Sequence, residues 1–133
     1  MSPDTAQALK ESALAWRIRA AGVISKPNAE NCPLCKLHNR PEQFITFKEN
    51  DARCLQCPIY LKTGERFCEG TPYKHYNNYT RWKIRNLSDK DIAEMKIWAD
   101  QEYRFLLSLL PEGVEPYELP ESLTILGENN GNN

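Results

Sequence analysis

Apolar positions recur with a helical period at both ends of this chain. Leu9, Ala13, Trp16 and Ala20 lie four, three and four residues apart, a spacing that lays one apolar stripe along a helix. Ser2 is a good N-cap, Pro3 suits the first helical position and Asp4 complements the helix dipole. Gly22 is placed to end the element in a left-handed cap. A second stripe runs through Ile92, Met95, Ala99, Leu106 and Leu110, widened by Trp98 and Phe105. Ser88 and Asp91 make a start like a capping box, and Pro111 stops the helix.

Between the two helices the pattern changes. Val23 to Asn31 reads as a connector with turn residues at Pro27 and Asn28. Phe44 to Phe47 is a β-branched and aromatic run, Asn50-Asp51 a turn, and Ala52 to Leu55 a returning strand. Pro58 opens a short helical turn over Ile59 to Lys62, ended by Gly64. Glu65 to Pro72 reads as loop. From Tyr73 to Arg85 aromatic and basic residues interleave, with Tyr73, Tyr76, Tyr79 and Trp82 at every third position. Residues 111–133 form an acidic tail, its last third expected to be disordered, with room for a short strand over Ser122 to Leu126.

Five cysteines change this picture most. Cys32-Pro33-Leu34-Cys35 and Cys54-Leu55-Gln56-Cys57 are two Cys-x-x-Cys pairs with eighteen residues between them, and Cys68 follows eleven positions later. Such spacing, in a chain whose Met1 to Lys10 stretch has no secretory pattern, reads as a tetrahedral metal site. A reducing cytoplasm is then the expected compartment, where thiols favour metal over disulfides. Four of Cys32, Cys35, Cys54, Cys57 and Cys68 are expected to hold a structural zinc ion, with Cys54 and Cys68 the two whose membership the spacing leaves open. His38 or His75 could replace a sulfur. An iron–sulfur cluster also accepts four cysteines.

Charge adds a candidate partner. The chain of 133 residues has a formal net charge of −1 and a mean hydropathy of −0.65. Residues 26–85 nevertheless carry +5 and residues 86–133 carry −7. The basic middle suggests an anionic partner, unless the acidic end folds back onto it. Lys36, Arg40, Lys74, Arg81, Lys83 and Arg85 are candidate phosphate contacts, and Tyr73 and Tyr76 candidate stacking platforms for bases. The same spacing also serves a core, with Tyr76, Tyr79 and Trp82 packed against Trp16 and Ile92. The two uses fit on opposite faces. No apolar run reaches the roughly 18–20 residues of a membrane helix.

The histidines supply little chemistry. His38-Asn39-Arg40 follows the first Cys pair and His75-Tyr76-Asn77-Asn78 comes later. HNH-type nucleases combine Cys-x-x-Cys knuckles with a His–Asn–His site, but the required order of residues is missing. No His-x-Glu is present either, which excludes the zinc deaminase signature.

The cysteine motifs resemble those of a group of small, largely uncharacterised proteins from bacteriophages and other prokaryotic mobile elements. The shared pattern is Cys32-Pro33-Leu34-Cys35, then Cys54-Leu55-Gln56-Cys57-Pro58-Ile59 with Thr63-Gly64, then Cys68-Glu69-Gly70-Thr71-Pro72-Tyr73. A Trp-bearing first helix (Trp16) and a last helix ending in Phe105 to Leu109 are similar too. The resemblance implies a phage-type protein acting in a host cytoplasm and places Cys68 inside the motif. It transfers no activity.

These readings predict a small α+β protein. Two long helices would pack around a zinc-stapled knuckle or β-hairpin, like a zinc ribbon. Residues 1–110 would form one domain with its metal core at 30–75. Without a catalytic constellation, the expected function is binding: a phage-type regulatory protein that contacts nucleic acid. The alternatives are a protein-binding inhibitor or adaptor of host defence or transcription machinery, and an HNH-like nuclease.

Overall fold

The computed structural model describes residues 1–27, 32–38, 57–64 and 70–122. Every element that it describes is a helix: α1 (Pro3–Ala20), α2 (Pro33–His38), α3 (Pro58–Thr63), α4 (Tyr73–Trp82) and α5 (Asp89–Ser108).

Local sequence explains the two long helices. Ser2 Oγ accepts a hydrogen bond from Thr5 N at 3.1 Å, satisfying one of the donors that the first turn leaves open. Gly22 takes φ +105° just beyond α1, in the region where a side chain would strain the backbone. At α5, Ser88 Oγ accepts from Asp91 N (3.1 Å) while Asp91 Oδ2 accepts from Ser88 N (3.0 Å). This reciprocal box closes both orphan donors. Those hydrogen bonds hold the Asp91 carboxyl below its usual range, with Lys83 adding to the effect. Ser88→Ala is expected to lower stability by about 1 kcal/mol. Urea unfolding monitored by circular dichroism would show it as a lower midpoint with an unchanged slope.

The core lies where the two apolar stripes meet. Ala8, Leu9, Ala13 and Trp16 of α1 are buried together with Met95, Ala99 and Leu106 of α5. α1 packs on α5 and on α2, and α4 packs on α5. Trp16 meets two rings of α4 nearly at right angles, Tyr76 at 5.1 Å and Tyr73 at 6.1 Å between centroids. Leu34 of α2 and Cys57-Pro58-Ile59 at the start of α3 complete the buried set.

The expected α+β architecture with a zinc-ribbon hairpin is therefore corrected to a helical one. The expected strands, Phe44 to Phe47 and Ala52 to Leu55, lie outside the described residues, as does most of the Ser122 to Leu126 segment. No strand occurs among the described residues. The first Cys pair does not form a knuckle in extended chain. It opens α2, with Cys32 just before the helix and Cys35 within its first turn. The reason is local: Pro33 has the fixed φ of a first helical residue and lacks an N–H that would be left open there. Cys57-Pro58 opens α3 in the same way, and Cys57 O accepts from Leu61 N at 3.0 Å.

Candidate functional site

Two regions carry the residues that the sequence singles out. The first is the cysteine region. Cys32 and Cys57 each stand just before a different short helix, α2 and α3, yet both pack into the same apolar cluster. Cys32 Sγ lies 3.8 Å from Ser12 Oγ of α1, and the same hydroxyl accepts from Leu34 N at 3.4 Å. Ser12 thus ties the start of α2 to α1. Cys54 and Cys68 lie outside the described residues, as do the side chains of Cys35 and His38. Among the described residues no group of three His, Cys, Asp or Glu side chains is arranged to hold a metal ion. Chain folding thus brings residues 32 and 57 to the same apolar cluster.

The second region is helix α4 and its exit. One side faces the core through Tyr76 and Thr80. The other side exposes Lys74, His75, Asn78, Arg81 and Trp82, and the chain leaves through exposed Lys83, Ile84 and Arg85. Trp82 is 74% exposed, an unusual state for the largest apolar side chain. The Arg81 guanidinium stands 5.1 Å from its ring. Beside it, His75 stacks on Trp98 of α5 with centroids 4.0 Å apart and planes inclined by 16°. His75, Asn78, Tyr79, Trp82, Lys83 and Trp98 line an open cleft of about 410 Å³, within the range of clefts that take small ligands (roughly 300–1,000 Å³).

The electrostatics of the cleft are mixed. Lys83 Nζ pairs with Asp91 at 3.4 Å. The Tyr79 hydroxyl donates to Glu94, and that carboxylate pushes the phenol up to about 12. The acidic tail does not supply these charges. Its described part meets α1 instead: Gln7 donates to the Tyr117 hydroxyl, and Lys10 Nζ lies 4.3 Å from the Tyr117 ring centroid.

The expected nucleic-acid contacts divide accordingly. Lys74, Arg81, Lys83 and Arg85 come together on and after α4. Lys36 lies on α2, with its side chain outside the described residues, and Arg40 is outside them altogether. Tyr76 is corrected from stacking platform to core: it is 1% exposed and its ring is held against Trp16. Tyr73 is half-buried against the same tryptophan. Trp82, which the spacing also offered to the core, takes the exposed aromatic position instead. Every-third spacing runs ahead of a 3.6-residue helix, so by Trp82 the row has left the buried side. Trp98 and the His75 stack were not legible, because they join two helices distant in sequence. Among the described residues no helix is long and apolar enough to cross a membrane. No family model, curated protein or solved structure matches this chain.

Proposed function

We propose that this protein is a non-enzymatic, phage-type nucleic-acid-binding module, stapled by a cysteine-held metal ion and presenting the α4 face to its ligand. One observation carries the reading. A largely exposed tryptophan, Trp82, stands among Arg81, Lys83 and Arg85 at the edge of an aromatic-lined cleft. Cations attract phosphate, and flat rings stack on unpaired bases without regard to sequence. Asn78 offers both a donor and an acceptor to a base edge in the same cleft. Zinc, held by four of Cys32, Cys35, Cys54, Cys57 and Cys68, is the staple that the spacing supports; an iron–sulfur cluster is the alternative.

Fluorescence polarisation with labelled single-stranded DNA, single-stranded RNA and duplex tests the proposal. Binding is expected to weaken steeply between about 50 and 200 mM salt, as counterion release demands. Trp82→Ala is expected to weaken single-strand binding roughly tenfold, since stacking on one base is worth about 1–3 kcal/mol. Its far-ultraviolet spectrum should not change, because the side chain is exposed. Absence of binding to all three probes at low salt refutes the reading.

A second reading, a protein-binding adaptor or inhibitor of host machinery, draws on another surface. Met1, Thr5, Leu37, Pro58, Leu61 and Leu109 are among the residues lining an open cleft of about 840 Å³, with Leu61 68% exposed. One stoichiometric host partner, together with no affinity for nucleic acid, would select it.

A further inference from the structure

Helix α4 carries a row of residues that share one face. Asn78, Tyr79 and Trp82 follow His75 by three, four and seven positions, intervals that return to the same side of a helix. All four line the cleft of about 410 Å³, together with Lys83 and with Trp98 of α5. His75 and Trp82 are the ends of the row, seven residues and so about 10 Å apart along the helix axis. The two ends differ in support. Trp98 is half-buried and packs against the core. The exposed His75 ring lies on it, with centroids 4.0 Å apart and planes inclined by 16°. His75 is thus a flat surface held on a second ring that the core anchors. Trp82 is 74% exposed.

The polar groups along the row have different tasks. The Tyr79 hydroxyl donates to Glu94, and Lys83 Nζ pairs with Asp91 at 3.4 Å. Both contacts tie α4 and its exit to α5, which sets the width of the cleft. Asn78 is exposed between the two flat ends, and its amide holds a donor and an acceptor side by side. Exposed cations adjoin each end in sequence, Lys74 next to His75, and Arg81 and Lys83 on either side of Trp82. A nucleotide presents the matching groups: two flat faces, a hydrogen-bonding edge and a phosphate to either side. A base between two stacking partners takes about 7 Å, two steps of the roughly 3.4 Å rise along a strand. The interval of about 10 Å between the ends of the row admits it. A base in a duplex cannot enter, because its faces are covered by its neighbours and its edge is paired.

We infer that the cleft between α4 and α5 accepts one unpaired base of a single strand, stacked on His75 over Trp98, with Trp82 on its other face and Asn78 at its edge. The inference rests on the preceding nucleic-acid reading and deepens it. Trp82 and the cations by themselves would hold a strand on the surface, whereas an inserted base needs the His75 platform. That platform is already stacked without ligand, so little ordering remains to be done on binding. His75 and Trp98 become binding residues, and single strands are the ligand class.

The test uses the full chain and two short labelled strands, one wholly abasic and one abasic except for a single central adenine. Their phosphates are the same, so the ratio of the two affinities reads the inserted base alone. The adenine is expected to strengthen wild-type binding roughly tenfold. His75→Ala is expected to abolish that gain and to leave affinity for the abasic strand unchanged. His75→Tyr, which restores a flat ring, is expected to recover it. His75 is exposed, so the far-ultraviolet spectra of both variants should match the wild type. Equal wild-type affinity for the two strands overturns the inference and needs no variant to show it. A full adenine gain in His75→Ala overturns it too, as does an equal loss on both strands, which marks an effect on the fold or on the phosphate contacts. In each of these cases the strands still bind and the nucleic-acid reading stands. Binding of neither strand, nor of any natural single strand or duplex, overturns both, so the two failures are distinguishable.

Discussion

Adding a zinc chelator is expected to open the middle of the chain while its helical ends stay assembled. The reason lies in how unequally the helices are supported. α1 has 18 residues and α5 has 20, and they bury Leu9, Ala13, Met95, Ala99 and Leu106 against each other. That contact involves no cysteine. α2 and α3 have six residues each, far below the roughly 12–15 that an isolated helix needs to be even marginally stable. Among the described residues their buried apolar contribution is Leu34, Pro58 and Ile59 with the neighbouring Cys57. A staple at the cysteines would supply the missing stability, since metal binding in small sites is folding free energy. Chelation, or Cys57→Ser, should therefore expose Lys36 and Lys62 to trypsin within minutes. The circular dichroism signal should fall only in part. A cleavage pattern identical with and without chelator would contradict the staple.

Stability is also expected to fall as pH rises from about 4.5 to about 7, because of Glu102. This carboxyl sits on the core side of α5, 1% exposed, between the buried Ala99 and Leu106. It accepts a hydrogen bond from Tyr73 N at 3.1 Å and so closes a donor at the start of α4, a helix whose own N-cap, Pro72, offers no side-chain bond. Burial pushes its pKa from the ordinary 4.5 up to about 7, against the opposing hydrogen bonds from Tyr73 and Thr71. The folded state therefore binds the proton more tightly than the unfolded chain. Its contribution is fully present below about 4.5 and is lost as pH rises through about 7. The shift amounts to about 3 kcal/mol, at about 1.4 kcal/mol per pKa unit. Glu102→Gln keeps an acceptor for Tyr73 N without the charge. It should flatten the pH dependence in this window and be the more stable protein at pH 8. Urea midpoints at pH 5, 6, 7 and 8 for both proteins decide it. A wild-type profile flat across that window, or parallel profiles in the two proteins, would refute the assignment.

Much of the fold was legible because its signals are local. Ser2, Pro3 and Gly22 mark the ends of α1, and Ser88 with Asp91 marks the start of α5. These residues act through their own backbone neighbours, so no knowledge of distant contacts is required. The two Cys-Pro steps are local signals as well. Pro58 marks α3 for that reason, whereas the Cys-x-x-Cys spacing around Pro33 drew the reading toward a knuckle and away from α2. The candidate cleft was legible in part. Its cations are concentrated in the sequence, but its walls come from α4 and α5 together.

The sequence by itself determined the lengths and caps of the two main helices, the apolar stripe on each, and the concentration of positive charge in the middle. Periodicity and capping are properties of consecutive residues, and they survive whatever the rest of the chain does. Only the tertiary structure decided which polar groups would be buried with those stripes. Arg19 and Glu102 carry groups that water would readily solvate, and nothing in their local sequence marks them for the interior. They are buried because the packing of α1, α4 and α5 closes over them. It is this closure, removing water from charged groups, that moves Arg19 and Glu102 away from their ordinary pKa values.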